Sequence, residues 1–457
     1  MTTLTKTKSV YFFGNNTSDG TGKMRTLLGG KGANLAEMTL LGIPVPPGFT
    51  ISTDECEKYY SCNKSLSSNL IEEIKQNIHR VEDALNLKFG DSKNPLLFSV
   101  RSGSRVSMPG MMDTVLNLGL NDEAVKGLAI QSGSERFAWD SYRRFIQMFS
   151  NVVLGLEHHS FEHILADKKK LNGVSEDTDL SVDALKELVG EYKALVEKSG
   201  KDFPLDPMKQ LEMSVGAVFG SWDASRAIKY RQINNIPHEW GTAVNVQAMV
   251  FGNLGDTSGT GVAFTRNPSD GDKAFYGEYL INAQGEDVVA GVRTGKNIDL
   301  LKKDMPKSHK ELSDACTKLE RHFREPQDIE FTIEQGKFYL LQTRTAKMSA
   351  MALVKTSVDM VKEKLINKNK ALTRIPAQQL EALLHRTMDE SKVKEHKQLA
   401  KGIAASPGAA SGIVVFDVKK TIELGDQGKK IILVRKETKP EDVPAFFSAE
   451  GILTSLG

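Results

Sequence analysis

The stretch Asp328-Ile-Glu-Phe-Thr-Ile-Glu-Gln-Gly-Lys-Phe-Tyr-Leu-Leu-Gln-Thr-Arg344 carries more chemistry than any other part of this chain. Apolar and polar residues alternate on both sides of a turn containing Gly336, which predicts a β-hairpin. One run sets Asp328, Glu330, Thr332 and Glu334 on one face and Ile329, Phe331 and Ile333 on the other. The second run ends with Gln342 and Arg344, two apart and therefore on one side of their strand. A two-residue loop, Gln335-Gly336, would pair Ile329 with Gln342 and separate the acids from Gln342 and Arg344. A three-residue loop with Gly336 in a left-handed bulge pairs Asp328 with Gln342 and gathers all four groups on one face. The second register is the one predicted. Two carboxylates so placed can hold a divalent cation through hard oxygen ligands. An amide and a guanidinium nearby can stabilise phosphoryl oxygens. The alternation alone fits equally a half-exposed hairpin whose acids and arginine form surface ion pairs.

Working outward, Leu27-Leu-Gly-Gly-Lys-Gly-Ala-Asn-Leu-Ala-Glu-Met-Thr-Leu-Leu41 reads as a glycine turn around Lys31 followed by a helix. Glycines admit close backbone approach, a helix N-terminus favours anions, and Lys31 adds a point charge for phosphate. The spacing is not a Walker pattern, and a plain turn explains it as well. Leu96-Leu-Phe-Ser-Val-Arg-Ser-Gly-Ser-Arg105 reads as a buried strand opening into a loop, with Arg101 and Arg105 emerging at the strand end. Arginines there can grip phosphate bidentately, or pair a local carboxylate such as Asp113.

From about Asn121 to Phe203 the periodicity is helical, with helices over Ser134–Val153 and Ser181–Lys198. Within it, Tyr142-Arg143-Arg144-Phe145 offers an arginine to phosphates or, more plainly, a solvated helix face. Pro207 to Tyr230 reads as one further helix. Strands follow near Thr242–Phe251 and Glu278–Ile281. The Thr257–Gly261 loop, rich in small and hydroxyl residues, could close over phosphates or form a polar hairpin tip. Gln284-Gly-Glu-Asp287 adds two acids, and a helix from Ser308 to Phe323 leads into the hairpin. Lys347 to Lys401 is charged and helical, as expected of a linker. A small domain then begins near Ala404, with strands near 412–416, 430–435 and 451–454 and a helix around Pro440–Ser448.

Composition sets bounds on this picture. The length, 457 residues, predicts about three domains. Hydrophobic content of 40%, charged content of 26% and a net charge of +2 give no sign of a nucleic-acid or membrane partner. Cys56, Cys62 and Cys316 have neither disulfide-framework nor metal-site spacing. No apolar run approaches the roughly 20 residues needed to span a bilayer, and the N-terminus lacks a secretory core. Cytoplasmic residence is the expectation.

Taken in order, several blocks resemble the pyruvate, phosphate dikinase family. They are the Leu-Leu-Gly-Gly-Lys-Gly-Ala-Asn-Leu-Ala-Glu-Met block, Ser-Val-Arg-Ser-Gly, Ser-Met-Pro-Gly-Met-Met-Asp-Thr and Ser-Gly-Thr-Gly-Val-Ala-Phe-Thr-Arg-Asn-Pro. Asn-Ala-Gln-Gly-Glu-Asp-Val-Val-Ala-Gly, the Gln342-Thr-Arg344 end and Ala-Ser-Pro-Gly-Ala-Ala continue the series. The likeness is collinear over nearly the whole chain. It favours this family over the related phosphoenolpyruvate synthases, with Ser-Met-Pro-Gly-Met-Met-Asp-Thr the most telling block.

The resemblance implies an α+β chain: an ATP-grasp-like multi-subdomain nucleotide-binding domain over 1–347 with a largely helical insert at 121–205. A helical linker at 348–401 and an incomplete swivelling β/β/α phosphohistidine domain at 402–457 would follow. In that family ATP pyrophosphorylates a histidine, phosphate removes the terminal phosphoryl, and the remaining phosphohistidine phosphorylates pyruvate. By motif position Lys31 and Arg101 would hold ATP phosphates, and Asp328 and Glu330 would bind Mg²⁺. Gln342 and Arg344 would stabilise the group in flight, Thr260 and Gly261 would lie in a loop over the nucleotide, and Glu286 would lie near its edge. Such transfers need positioning and charge neutralisation more than covalent chemistry.

The family continues from Gly-Ile-Leu-Thr into the segment that carries the histidine, then into a barrel for pyruvate. Here Thr454 is followed by Ser-Leu-Gly457, so this polypeptide is expected to bind Mg-ATP without completing the reaction. Its expected partners are ATP and phosphate, with pyruvate only through the absent domain and a homodimer in the full-length protein. A phosphoenolpyruvate synthase fragment and a non-catalytic ATP-binding module are the alternatives.

Overall fold

The computed structural model describes residues 8–289, 294–384, 399–400, 402–403, 405–406 and 408–456. Helices and separate sheets mix in the manner of an α+β protein. The chain divides into two compact units: Met1–Val250 with Tyr339–Gln342, and Phe251–Phe338 with Thr343–Gly457.

The first unit is built on a sheet of β1 (Val10–Gly14), β2 (Thr17–Ser18), β3 (Gly48–Ile51), β6 (Phe98–Gly103), β7 (Thr114–Leu118) and β8 (Ala243–Ala248), in the order β2-β1-β3-β8-β6-β7. The short β4 (Lys88–Phe89) and β5 (Pro95–Leu96) pair apart from it. Every neighbour in the six-stranded sheet is antiparallel. Thr50 faces Asn245 and Asn245 faces Arg101, while Ser99 faces Gln247. Because side chains alternate, Thr50, Asn245, Arg101, Gln247 and Ser99 share one face. Phe49, Phe98, Val100, Val244 and Val246 fill the other and are fully buried. One side of the sheet is therefore an apolar core and the other a polar floor.

The helix Arg25–Leu40 packs on this sheet but is broken at Gly29, which has φ 66 and ψ 174. The expected turn lies there, two residues before Lys31. The helical run resumes at Gly30, so Lys31 sits in its first turn. A side chain on Gly29 would collide with the Gly103 carbonyl, and the Gly30 N–H donates to Ser104 O at 2.8 Å. These contacts lock the turn against the end of β6.

The expected helical segment contains the helices Ala124–Ser132, Glu135–Val152, His158–Asn172 and Val182–Lys198. Ser134 and Ser181 cap two of them through their hydroxyls. Arg143 does not lie on a solvated face: it is buried and bonded to Asp140 at 2.5 Å and Asp177 at 3.3 Å. The single helix expected from Pro207 to Tyr230 is two, Pro207–Gly220 and Ser225–Ile233. The extended backbone at Ala224 divides them.

The second unit holds β9 (Gly259–Phe264), β10 (Tyr276–Ile281), β11 (Lys296–Asn297), β12 (Gln327–Glu334) and β13 (Lys337–Thr345), in the order β11-β10-β9-β12-β13. The residues Tyr339–Gln342 of β13 belong to the first unit. The helix Pro306–Phe323 precedes β12, and Ala350–Lys362, Lys368–Thr373 and Ala377–Leu384 follow β13.

Near the C-terminus β14 (Ile413–Val415), β15 (Ile431–Arg435) and β16 (Gly451–Thr454) form a parallel sheet. A helix over Val418–Asp426, not anticipated, supplies the crossover that parallel strands require. The region expected as a helix at Pro440–Ser448 is a 3₁₀ turn, Pro440–Asp442, leading into one helical turn, Val443–Phe446. No helix among the described residues is long and apolar enough to cross a membrane.

Candidate functional site

Arg101 lies inside β6, not past its end, and so projects from a rigid strand. Its Nη2 donates to Gln247 Oε1 at 2.5 Å and to the Leu341 carbonyl at 3.2 Å. The second bond brings Arg101 to the residue that precedes Gln342, within the same unit. Gln342 is itself buried. Asp113 pairs with neither Arg101 nor Arg105: Arg226 takes it, and Arg226 Nε also donates to Met111 O at 3.2 Å. Burial, outweighing the Arg226 charge, pushes the Asp113 carboxyl above its ordinary value. Arg105 instead lies over the Trp240 ring, 5.3 Å from its centroid. The first unit thus gathers Lys31's helix start, Arg101 and the Gln342 segment around the polar floor of one sheet.

The hairpin is present, with a different turn from the predicted one, and that turn lies in the second unit. β12 ends at Glu334 and β13 begins at Lys337, leaving the two-residue loop Gln335-Gly336. Both loop residues have positive φ, 47 and 75, the primed geometry that matches strand twist. The three-residue bulged loop is therefore overturned. The loop is held from outside: Gly336 N–H donates to Thr257 O and Gln335 N–H to Ser258 Oγ, each at 2.9 Å.

Arg344 nevertheless meets the acids. Its Nε is 2.6 Å from Asp328 Oδ2 and its Nη2 is 3.7 Å from Glu330 Oε1. The alternation of β13 must be interrupted for this to occur. Phe338 packs on Phe331, while Thr343 donates to Gln327 Oε1 at 3.0 Å. Phe331 and Gln327 share one face of β12, yet Phe338 and Thr343 are five residues apart, so a bulge-like irregularity separates them. Burial, with the Arg344 charge opposing it and Glu330 adding to it, pushes the Asp328 carboxyl above the usual carboxylate range.

Thr260 and Gly261 are not in a loop. They lie in β9, opposite Thr332 and Phe331. Thr260 Oγ1 donates to Phe331 O at 3.0 Å and lies 3.1 Å from Thr332 Oγ1. Small residues here serve sheet packing, which composition could not separate from a mobile tip. The register places Thr260, Glu330, Asp328 and Glu278 on one sheet face. Glu286 falls in the helix Gly285–Val289, with its side chain outside the described residues.

Sequence reasoning missed Gln247 and Asn245. Their signal was present: amides at alternate positions of an otherwise apolar strand, Ala243-Val-Asn-Val-Gln-Ala248.

Among the described residues, no group of three or more His, Cys, Asp or Glu is arranged to hold a metal. Asp328 and Glu330 thus do not make a closed all-protein cage. Two hard carboxylates suit a small cation that takes its remaining ligands from phosphates and water, the habit of Mg²⁺ in nucleotide sites.

A family model described as pyruvate phosphate dikinase, AMP/ATP-binding domain, matches residues 25–68, 63–311 and 305–365. The chain is 53% identical over 452 residues to pyruvate, phosphate dikinase of Clostridium symbiosum, covering 98% of this chain and 51% of that protein. It is 52% identical to the chloroplastic pyruvate, phosphate dikinase 1 of Arabidopsis thaliana, covering 98% and 47%. To the Rhizobium meliloti (strain 1021) enzyme of that name it is 51% identical, covering 98% and 51%. It spans about half the length of these curated relatives. With the family model matching most of its length and the quoted motifs in order, the chain belongs to the pyruvate phosphate dikinase AMP/ATP-binding domain family.

Proposed function

We propose that this chain binds Mg-ATP and serves as the nucleotide half of a pyruvate, phosphate dikinase, which converts ATP, phosphate and pyruvate into AMP, diphosphate and phosphoenolpyruvate. The observation that carries the reading is the Arg344–Asp328–Glu330 cluster: one guanidinium held against two carboxylates on one face of a rigid sheet. Such a set has groups for both halves of a metal–phosphate complex. In this reading Asp328 and Glu330 would hold Mg²⁺, which supplies charge neutralisation on the phosphates when bound. Arg344 and Gln342 would stabilise the phosphoryl group during transfer.

Lys31, in the first turn of a helix, and Arg101, fixed on a strand, would take phosphate oxygens. Glu286 would lie near the nucleotide's edge, and Thr260 and Gly261 would contribute through the strand β9 rather than a covering loop. An ATP-grasp-like architecture agrees with antiparallel sheets that present Arg101, Asp328, Glu330 and Arg344 from strands. Transfer onto phosphate and pyruvate, dimer formation and cytoplasmic residence belong to the full-length enzyme in the same proposal.

Equilibrium titration of the chain with Mg-ATP tests the reading. Arg101→Ala and Glu330→Ala are each expected to weaken binding by tenfold or more, since a hydrogen bond to a charged group contributes about 1.5–3 kcal/mol. Unchanged affinity in both variants would sink it.

A further inference from the structure

We propose that Gln247 is a positioning residue for Arg101, setting that guanidinium for phosphate before any nucleotide arrives. The proposal rests on the reading of Arg101 as a phosphate ligand.

Gln247 is 1% exposed and both ends of its amide are engaged. Oε1 accepts from Arg101 Nη2 at 2.5 Å, and Nε2 donates to the Pro46 carbonyl at 3.1 Å. Turning the amide over would set its NH₂ against a guanidinium and its oxygen against a carbonyl. Only one orientation satisfies both neighbours. The anchor on the far side is also fixed, because Pro46 is followed by Pro47, whose carbonyl receives the Ala248 N–H at 2.8 Å. The backbone of Gln247 itself accepts from Ser99 Oγ at 3.2 Å.

The consequence concerns entropy and direction. A free arginine side chain surrenders rotamer freedom when fixed. With Gln247 and Leu341 O on one nitrogen, part of that ordering precedes binding, and preorganisation of this kind appears as affinity. Asn245, on the same face, bonds to Thr50 at 2.9 Å and so braces the adjoining strand, while Gln247 contacts the Arg101 side chain.

The test uses the 457-residue chain and three probes: Mg-ATP, Mg-tripolyphosphate and adenosine. Gln247→Met keeps the length and removes both hydrogen bonds. It is expected to weaken Mg-ATP and tripolyphosphate by about tenfold, the worth of one charge-assisted hydrogen bond, and to leave adenosine unchanged. In an Arg101→Ala background the same substitution should change nothing further. Gln247→Asn, too short to span Pro46 and Arg101, should repeat the pattern and serves in its place if the Met variant does not fold.

Losses that add fully in the double variant, or that extend equally to adenosine, overturn the proposal, because a merely structural glutamine would give them. Retained Mg-ATP affinity in Gln247→Met, alongside a loss in Arg101→Ala, overturns the positioning role alone. No loss in Arg101→Ala overturns both this proposal and the reading beneath it.

Discussion

Gly29 occupies a backbone region, φ 66 and ψ 174, that is essentially confined to glycine. A Cβ there would lie 1.7 Å from the Gly103 carbonyl oxygen, whereas one on Gly30 would meet nothing closer than 3.5 Å. Gly29→Ala is therefore expected to destabilise the chain by about 3 kcal/mol or more, strain and clash together. Gly30→Ala should cost less than about 1 kcal/mol. Urea unfolding of the two variants checks this, and equal losses would contradict it. The motif was legible as a glycine turn beside Lys31, but which glycine makes the turn was not. That depends on Gly103, distant in sequence, pressing against one of them. Arg101 carries the same lesson: its type and strand were readable, while its partners Gln247 and Leu341 come from other segments and leave no local pattern.

Elements obey local rules where packing leaves them alone. The hairpin turn takes Gln335 and Gly336 through positive φ, a conformation that asparagine tolerates better than glutamine. Gln335→Asn should stabilise by a few tenths of a kcal/mol and Gly336→Ala should destabilise by about 1 kcal/mol; thermal unfolding that reversed this ranking would refute the turn assignment. The strands and their alternation were visible in the sequence. The loop length was not: two- and three-residue turns both fit around Gly336, and the observed one is held by Thr257 and Ser258 from another segment.

At β1, burial would raise the Asp19 carboxyl, but hydrogen bonds from Arg80, Lys8 and the Phe12 N–H outweigh it and hold it at about 2. A carboxyl lowered in the folded state adds stability above its unfolded value and loses it as pH falls. With a fifth of the side chain exposed, Asp19→Asn is expected to cost about 1–2 kcal/mol near neutral pH. That difference should fade between the ordinary 3.8 and about 2. A difference that persists undiminished to the acid end of that window would contradict the assignment.

On the scale of the molecule, each unit has its own internal fastening. In the second, Arg266 is fully buried between Glu320 at 2.7 Å and Glu363 at 2.9 Å, and Lys273 joins Glu363 at 2.6 Å. This joins the loop after β9 to the helix Pro306–Phe323 and to the residue that caps the C-terminus of Ala350–Lys362. Arg266→Met should cost about 3–5 kcal/mol by stranding buried carboxylates, and adding Glu320→Met should recover part of it. Chemical denaturation giving no recovery would argue against a coupled cluster. Motif order made the family readable, and the α+β class came with that resemblance, whereas a cluster such as this one depends on three segments meeting.

At the centre of the proposed function, Asp328 and Glu330 on the hairpin would take the cation of Mg-ATP, and Arg101 would take a phosphate oxygen. Its most direct measurement is the affinity for ATP with and without Mg²⁺ in the wild type, Glu330→Gln and Arg101→Ala. The account expects Mg²⁺ to tighten wild-type binding, Glu330→Gln to lose that gain while keeping the Mg²⁺-free affinity, and Arg101→Ala to weaken binding under both conditions. A Glu330→Gln chain that gains as much from Mg²⁺ as the wild type would contradict it.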